Sequence, residues 1–179
     1  MTKLLTRKNR RLKNYDYSEK GWYFVTVCTY NKRCLFGDIV GANGCSPEII
    51  LNKYGKIVEK EWKKSASIRD EIELDKHVIM PNHVHGIIRI NYNGKCQEKG
   101  DQPVALMSGP QSKSIGAIIA GFKSIVTKQI NTIRNIPREK IWQRNYYDHI
   151  IRDERSLNEI REYIKNNPAT WDEDENNDK

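Results

Sequence analysis

Residues 71–90 read EIELDKHVIMPNHVHGIIRI, and their reading decides the fold of the chain. Two runs rich in apolar and β-branched side chains flank Pro81-Asn82, a turn pair, so the segment reads as a hairpin with strands over about 71–80 and 83–90. Upstream, Trp22 to Tyr30 is aromatic and β-branched and reads as a strand. Residues 37–47 read as loop, with turn residues Gly-Ala-Asn-Gly at 41–44. Leu51, Tyr54, Ile57, Val58, Glu61 and Trp62 follow helical spacing and predict a helix over about 51–65. Downstream, 91–113 is polar, carries Gly and Pro, and reads as a long surface loop. Ile115, Ile118, Ile119, Phe122, Ile125, Val126, Ile130 and Ile133 then form one apolar stripe and predict a helix over 114–134. Alternation from Trp142 to Arg152 predicts a fourth strand. The final helix, 153–167, starts at Asp153 or Ser156 and ends at Asn167-Pro168, because a residue before proline is pushed away from helical geometry. The order β-α-β-β-α-β plus a C-terminal helix is α+β: a ferredoxin-like split β-α-β antiparallel sheet with helices on one face and an additional C-terminal helix.

At 179 residues the chain suits one domain and is too short for a (β/α)8 barrel of about 250 residues. Lys and Arg outnumber Asp and Glu by 31 to 23, which points to a polyanionic partner, nucleic acid first and an anionic membrane surface second. No apolar run approaches the ~20 residues that span a bilayer, and the basic N-terminus lacks the apolar core of a signal peptide. Cys28, Cys34, Cys45 and Cys96 have no C-x-x-C spacing and read as reduced thiols of a cytoplasmic protein. Residues 1–14 form a basic arm that includes Arg10 and Arg11, and 172–179 (DEDENNDK) an acidic tail, with 15–171 as the domain between them. Either end can be a solvated flexible arm or a segment that grips or competes with phosphates.

His83-Val84-His85 is the sharpest local feature. Residues i and i+2 of a strand share a face, so the two imidazoles stand side by side. Spacing alone leaves two readings: a two-tooth metal clamp, or two hydrogen-bonded, half-exposed histidines. His77 and His149, standing singly, read as structural. Tyr163 and Asn167 lie four residues apart on the last helix, a rotation of about 400°, and therefore share a face. Their alternatives are a phenol and an amide aimed at a common ion, or a half-buried tyrosine with a helix terminator.

Taken in order, the blocks YFVTVCTYNKRCLFG (23–37), HVIMPNHVHGIIRI (77–90), GFKSIVTKQIN (121–131), IWQRNYYDHIIRDE (141–154) and IREYIKNNPATW (160–171) resemble REP-associated tyrosine transposases. These belong to the single-tyrosine HUH transposases, named for their His-hydrophobe-His pair. The resemblance covers about 15–171, with 91–113 as an insertion. It implies metal-dependent breakage and rejoining of single-stranded DNA, commonly beside a small hairpin, through a 5′-phosphotyrosine. His83 and His85 match the HUH pair, Tyr163 the nucleophile, and Asn167 the amide ligand four residues on. Related insertion-sequence enzymes carry glutamine there, so Asn167 points to the REP-associated branch, whose members resemble monomers. A monomer is therefore favoured, with a dimer as the alternative, and a nucleoid location is expected.

Two imidazoles and an amide oxygen suit Mg²⁺ or Mn²⁺, with Mn²⁺ accepting imidazole more readily. Arg89, Lys123, Lys128, Arg144 and Arg152 are candidate phosphate contacts, joined by Arg10 and Arg11 of the arm. Tyr146 and Tyr147 are candidate stacking platforms for unpaired bases, and Trp142 and Trp171 read as packing residues. Two other classes compete: a non-catalytic, domesticated nucleic-acid binder on the same fold, and a small phosphoesterase using His77, His83 and His85.

Overall fold

The computed structural model describes residues 15–41, 47–91 and 113–177. Arg10, Arg11, Cys45, Cys96, nearly all of the 91–113 loop and the last two residues lie outside them. In chain order the elements are β1 (Gly21–Cys28), β2 (Gly37–Val40), β3 (Glu48–Leu51), α1 (Lys53–Ser67), β4 (Ile72–Ile79), β5 (His83–Ile90), α2 (Ile115–Arg134), β6 (Tyr147–Ile151) and α3 (Glu154–Asn166).

Strands β4, β5, β1 and β6 lie side by side in that order, every neighbouring pair antiparallel. With its two helical crossovers this is the split β-α-β sheet. Register assigns the faces. Val84, Gly86 and Ile88 of β5 stand opposite Val27, Val25 and Tyr23 of β1. This face carries the main core, closed by Val58 and Trp62 of α1 and by Ile115, Ile118, Ile119, Phe122 and Val126 of α2. The alternate set, His83, His85 and Ile87 against Cys28, Thr26 and Phe24, looks the other way. That second face is covered by α3, whose Leu157 and Ile164 pack with Phe24, Ile87 and Ile151. Thus α1 and α2 share one face, and the additional helix closes the one that carries the histidines.

Three local features differ from the sequence reading. The stretch 37–47 is not wholly loop: Gly37–Val40 pairs with Glu48–Leu51 as a separate two-stranded sheet. Four-residue strands are too short for alternation to register, and Leu51, which looked like the first helical residue, ends β3. Asn52 instead caps α1, its side chain accepting from the N–H groups of Tyr54 and Gly55. The fourth strand begins at Tyr147 rather than at Trp142, which is buried in the core and bridges Thr29. Finally, Asn167 stays helical (φ −55, ψ −39) despite the following proline. The chain runs on as tight 3₁₀ turns over Asn167–Glu173 with Pro168 in the first turn, where its missing N–H has no role. This continued coiling brings the C-terminal residues back toward β5.

Candidate active site

The site forms where α3 crosses the second face of the sheet. Asp153 caps α3 by accepting from the Ser156 N–H at 2.8 Å. Arg161 fixes the helix angle through Asp75 of β4 at 2.7 Å and lies over the Trp22 ring. With Leu157 and Ile164 buried, helical spacing directs Tyr163 and Asn167 toward the β1–β5 pair. The Tyr163 hydroxyl sits 3.2 Å from His85 Nε2, and its ring meets Phe24 edge-on. His83 and His85 stand with ring centroids 4.4 Å apart, and both are fully buried.

Each imidazole is held by its other nitrogen. His83 Nδ1 lies 2.8 Å from Asn82 Oδ1. The Asn82 amide orientation is fixed, because its Nδ2 donates to the carbonyls of Lys32 and Asn176 at 3.1 and 2.7 Å. His83 Nδ1 therefore carries the proton, and its Nε2 presents a lone pair. His85 Nδ1 lies 2.9 Å from the Thr26 hydroxyl, which can accept, leaving Nε2 to accept from Tyr163. A neighbour on the far ring nitrogen that fixes the tautomer is the arrangement of metal-ligating histidines. Thr26 and Asn82 were not singled out in the sequence. The signal for Thr26 is register, since a β1–β5 pair that aligns Cys28 with His83 puts Thr26 beside His85.

The electrostatics favour ligation. Burial pushes His83 down to about 4, against the opposing pull of Asp174. Burial, reinforced by His83, pushes His85 down to about 3. Both rings are neutral at pH 7, so the 3.9 Å approach of His83 Nε2 to Asp174 is not an ion pair. Burial and the nearby Asp174 and Glu175 charges push the Tyr163 phenol up to about 12, so it keeps its proton. At the site, two buried atoms, His83 Nε2 and Asn167 Oδ1, have no hydrogen-bond partner among the described residues. Orphaned buried acceptors cost free energy, and a cation is the species that satisfies lone pairs. His83, His85 and Asp174 offer ligand atoms within 4.8 Å of one another, a set able to hold a metal ion. Asp174 was left in the acidic tail by the sequence reading; no spacing rule ties it to the histidines.

The depressed histidines have a consequence for stability. Between about pH 4 and their ordinary 6.5 the unfolded chain binds more protons at these rings than the folded one. Stability therefore rises with pH across that window and falls as acid is added. The thermal midpoint of the metal-stripped protein is expected to fall steadily as pH drops below 6.5, and less steeply in a His83→Gln/His85→Gln double variant. A wild-type midpoint flat down to pH 4 would contradict the burial of neutral rings.

The surrounding cleft, about 780 Å³, is lined by Phe24, His85, Tyr147, Tyr163, Asn167 and Asp174, among others. Tyr146 also reaches it, and exposed Arg144 adjoins it between the lining residues Gln143 and Asn145. The other candidates are placed elsewhere. Lys123 is engaged: its Nζ donates to the carbonyls of Gln143, Arg144 and Asn145 at 2.5, 3.2 and 3.5 Å, bracing the chain that enters β6. Lys128 is exposed on α2, and Arg152 lies in a separate cleft with His149. Arg89 stacks on Trp22 and pairs with Glu73, four residues along β5 from His85. His77 packs beside Trp62 on the opposite face, so it cannot join the pair as the phosphoesterase reading required. Trp171 lies over the His83 ring at 6.0 Å. No described helix is long and apolar enough to cross a membrane.

No family model matches the chain. An uncharacterized protein of Haemophilus influenzae is 42% identical over 176 residues, covering 94% of this chain and 92% of its own length. Among solved structures, a REP-associated tyrosine transposase bound to a REP hairpin superimposes with a TM-score of 0.58 at 18% identity. That match covers 90% of this chain and 74% of the other. Such a low identity speaks to the fold alone. The chain belongs to one family with the Haemophilus influenzae protein, and the fold it builds is that of the REP-associated tyrosine transposase.

Proposed function

We propose that this protein is a metal-dependent single-stranded DNA endonuclease and strand transferase, a single-tyrosine HUH enzyme acting at hairpin DNA through a 5′-phosphotyrosine. The observation that carries the reading is the Tyr163 hydroxyl at 3.2 Å from His85 Nε2, in an open cleft beside a neutral histidine pair and an unpartnered Asn167 oxygen. His83, His85 and Asn167 would hold Mg²⁺ or Mn²⁺. When bound, the ion supplies charge neutralisation and orientation of the scissile phosphate.

The chain's own groups do the rest. Tyr163 is half-exposed at the cleft, which leaves it free to turn from His85 toward the phosphate. Its oxygen bonds to phosphorus as the bond from phosphorus to O3′ breaks. The phenol proton leaves to solvent through the cleft mouth, and the released 3′ oxygen takes one up. Phosphodiester energy is kept in the tyrosyl ester, so an incoming 3′-OH can reverse the step without a nucleotide cofactor. The hairpin substrate is supported by the DNA bound to the solved transposase. Arg144, Tyr146 and Tyr147 at the cleft are the contacts for unpaired nucleotides, with Lys128, Arg152 and Arg89 further out and Arg10 and Arg11 on the arm. We place the protein with the nucleoid, as a monomer.

A labelled single-stranded hairpin oligonucleotide incubated with the protein and Mn²⁺ should give a shifted covalent adduct on a denaturing gel. Mg²⁺ should give no more adduct than Mn²⁺. Tight binding without adduct under either ion would favour a domesticated, non-catalytic binder instead.

A further inference from the structure

The residues after α3 are fastened to the sheet at the metal-facing end of β5. The Asn176 side-chain oxygen accepts from Cys28 Sγ at 3.4 Å, and the Asn176 carbonyl accepts from Asn82 Nδ2 at 2.7 Å. The Glu175 carbonyl accepts from Lys32 Nζ at 2.9 Å. Between them Asp174 turns inward, its side chain only 2% exposed. Its Oδ2 accepts from Asn167 Nδ2 at 2.8 Å, and its Oδ1 from the Asn176 N–H at 2.6 Å. The same Oδ2 lies 3.9 Å from His83 Nε2.

This carboxylate is held by two neutral donors, the Asn167 amide and the Asn176 N–H, rather than by a cation. Among the described residues no lysine or arginine nitrogen lies within 4.0 Å of it. What faces it is another lone pair, His83 Nε2, itself buried and unpartnered. A carboxylate, two imidazoles and an orphaned amide oxygen thus converge with no positive charge among them. The hydrogen bond from Asn167 Nδ2 to Asp174 also determines which end of that amide stays unpartnered.

We infer that Asp174 is a ligand of the metal centre, so that the C-terminal segment supplies its only carboxylate among the described residues and orients Asn167. The inference rests on the metal-dependent reading of the site. It adds a hard oxygen to a mixed nitrogen and oxygen set, a change that favours Mg²⁺ and Mn²⁺ over softer ions. It also links the ordering of residues 174–176 to metal binding.

The test is calorimetric titration of MnCl2 into the metal-stripped, DNA-free full chain. Asp174→Asn keeps shape and hydrogen-bond acceptance but removes the charge, and Asp174→Ala serves as a second variant. Both should weaken Mn²⁺ binding at least tenfold, and Mn²⁺ should slow C-terminal trimming by carboxypeptidase in the wild type alone. Mn²⁺ affinity within twofold of wild type in both variants would overturn the inference. So would a variant that nicks DNA faster with unchanged affinity, since Asp174 would then merely obstruct the site. No saturable Mn²⁺ binding by the wild type overturns it as well. The two proposals fail separately: a wild-type adduct with unaltered Mn²⁺ affinity in both variants sinks the Asp174 ligand alone. Asp174-dependent Mn²⁺ binding without any adduct supports it while sinking the nuclease reading.

Discussion

Tyr163→Phe is expected to abolish the covalent DNA adduct and to cut nicking on the order of 10⁴-fold or more, the scale seen when a nucleophile is removed. Hairpin affinity should stay within about twofold, because the variant loses no charge and DNA affinity is dominated by phosphate contacts. The fold should not notice. The hydroxyl's hydrogen bond is to His85 Nε2, with the Asn167 amide beside it, and the ring's edge-on contact with Phe24 remains. Losing one such bond costs about 0.5–1.5 kcal/mol, and the side chain is 44% exposed, so water replaces part of it. The measurement is a pair of gels, denaturing for the adduct and native for binding, on the same hairpin oligonucleotide. Cleavage that survives in the phenylalanine variant would mean that water is the nucleophile and that the tyrosine only closes the cleft.

How far this site could be read in advance depended on whether partners lie close along the chain or are brought together by pairing. His83 with His85, and Tyr163 with Asn167, are defined by spacing within one element, and the structure brings these four side chains together. The strands of the main sheet and the two helices on its first face were legible for the same reason: each carries its own periodicity. Thr26, Asn82 and Asp174 act across elements. Thr26 acquires meaning only once β1 and β5 are in register, and Asn82 looked like nothing more than a turn residue. Asp174 sits in a run of acids that composition assigns to solvent, and only the continued coiling past Pro168 turns it inward. Lys123 errs in the other direction. A cation on a helix beside a DNA-cleaving site invites a phosphate-binding reading, yet its ammonium is consumed by three backbone carbonyls, and burial pulls it down to about 8. The β2–β3 hairpin escaped because neither four-residue strand holds enough alternation to outweigh the turn residues between them.

Gly86→Ala is expected to be a strongly disruptive single-methyl change, and to damage fold and site together. A Cβ at this position would lie 2.2 Å from Trp62 Cζ2 and 2.8 Å from its Cη2, closer than any real contact. The indole cannot retreat, since it is 1% exposed and meets the Phe122 ring edge-on at 5.2 Å. Relief must therefore come from β5 itself, whose backbone carries His85 on one side of Gly86 and Ile87 on the other. Overpacking of this severity should cost about 3 kcal/mol, the upper end of the usual range. In a chain of this size that lowers the thermal midpoint by about 6–12 °C. Because the displaced strand holds both rings of the histidine pair, Mn²⁺ affinity should fall in the folded fraction too, at temperatures well below the new midpoint. The cause can be isolated with a double-mutant cycle. Trp62→Leu alone destabilises by leaving a cavity, but in the Gly86→Ala background the vacated space accepts the methyl group. The two changes should then show a coupling of more than about 1 kcal/mol in the compensating direction, with Mn²⁺ affinity partly restored. Strict additivity would show that the indole is not what this glycine makes room for, and that the strand bearing the histidines is positioned by some other contact.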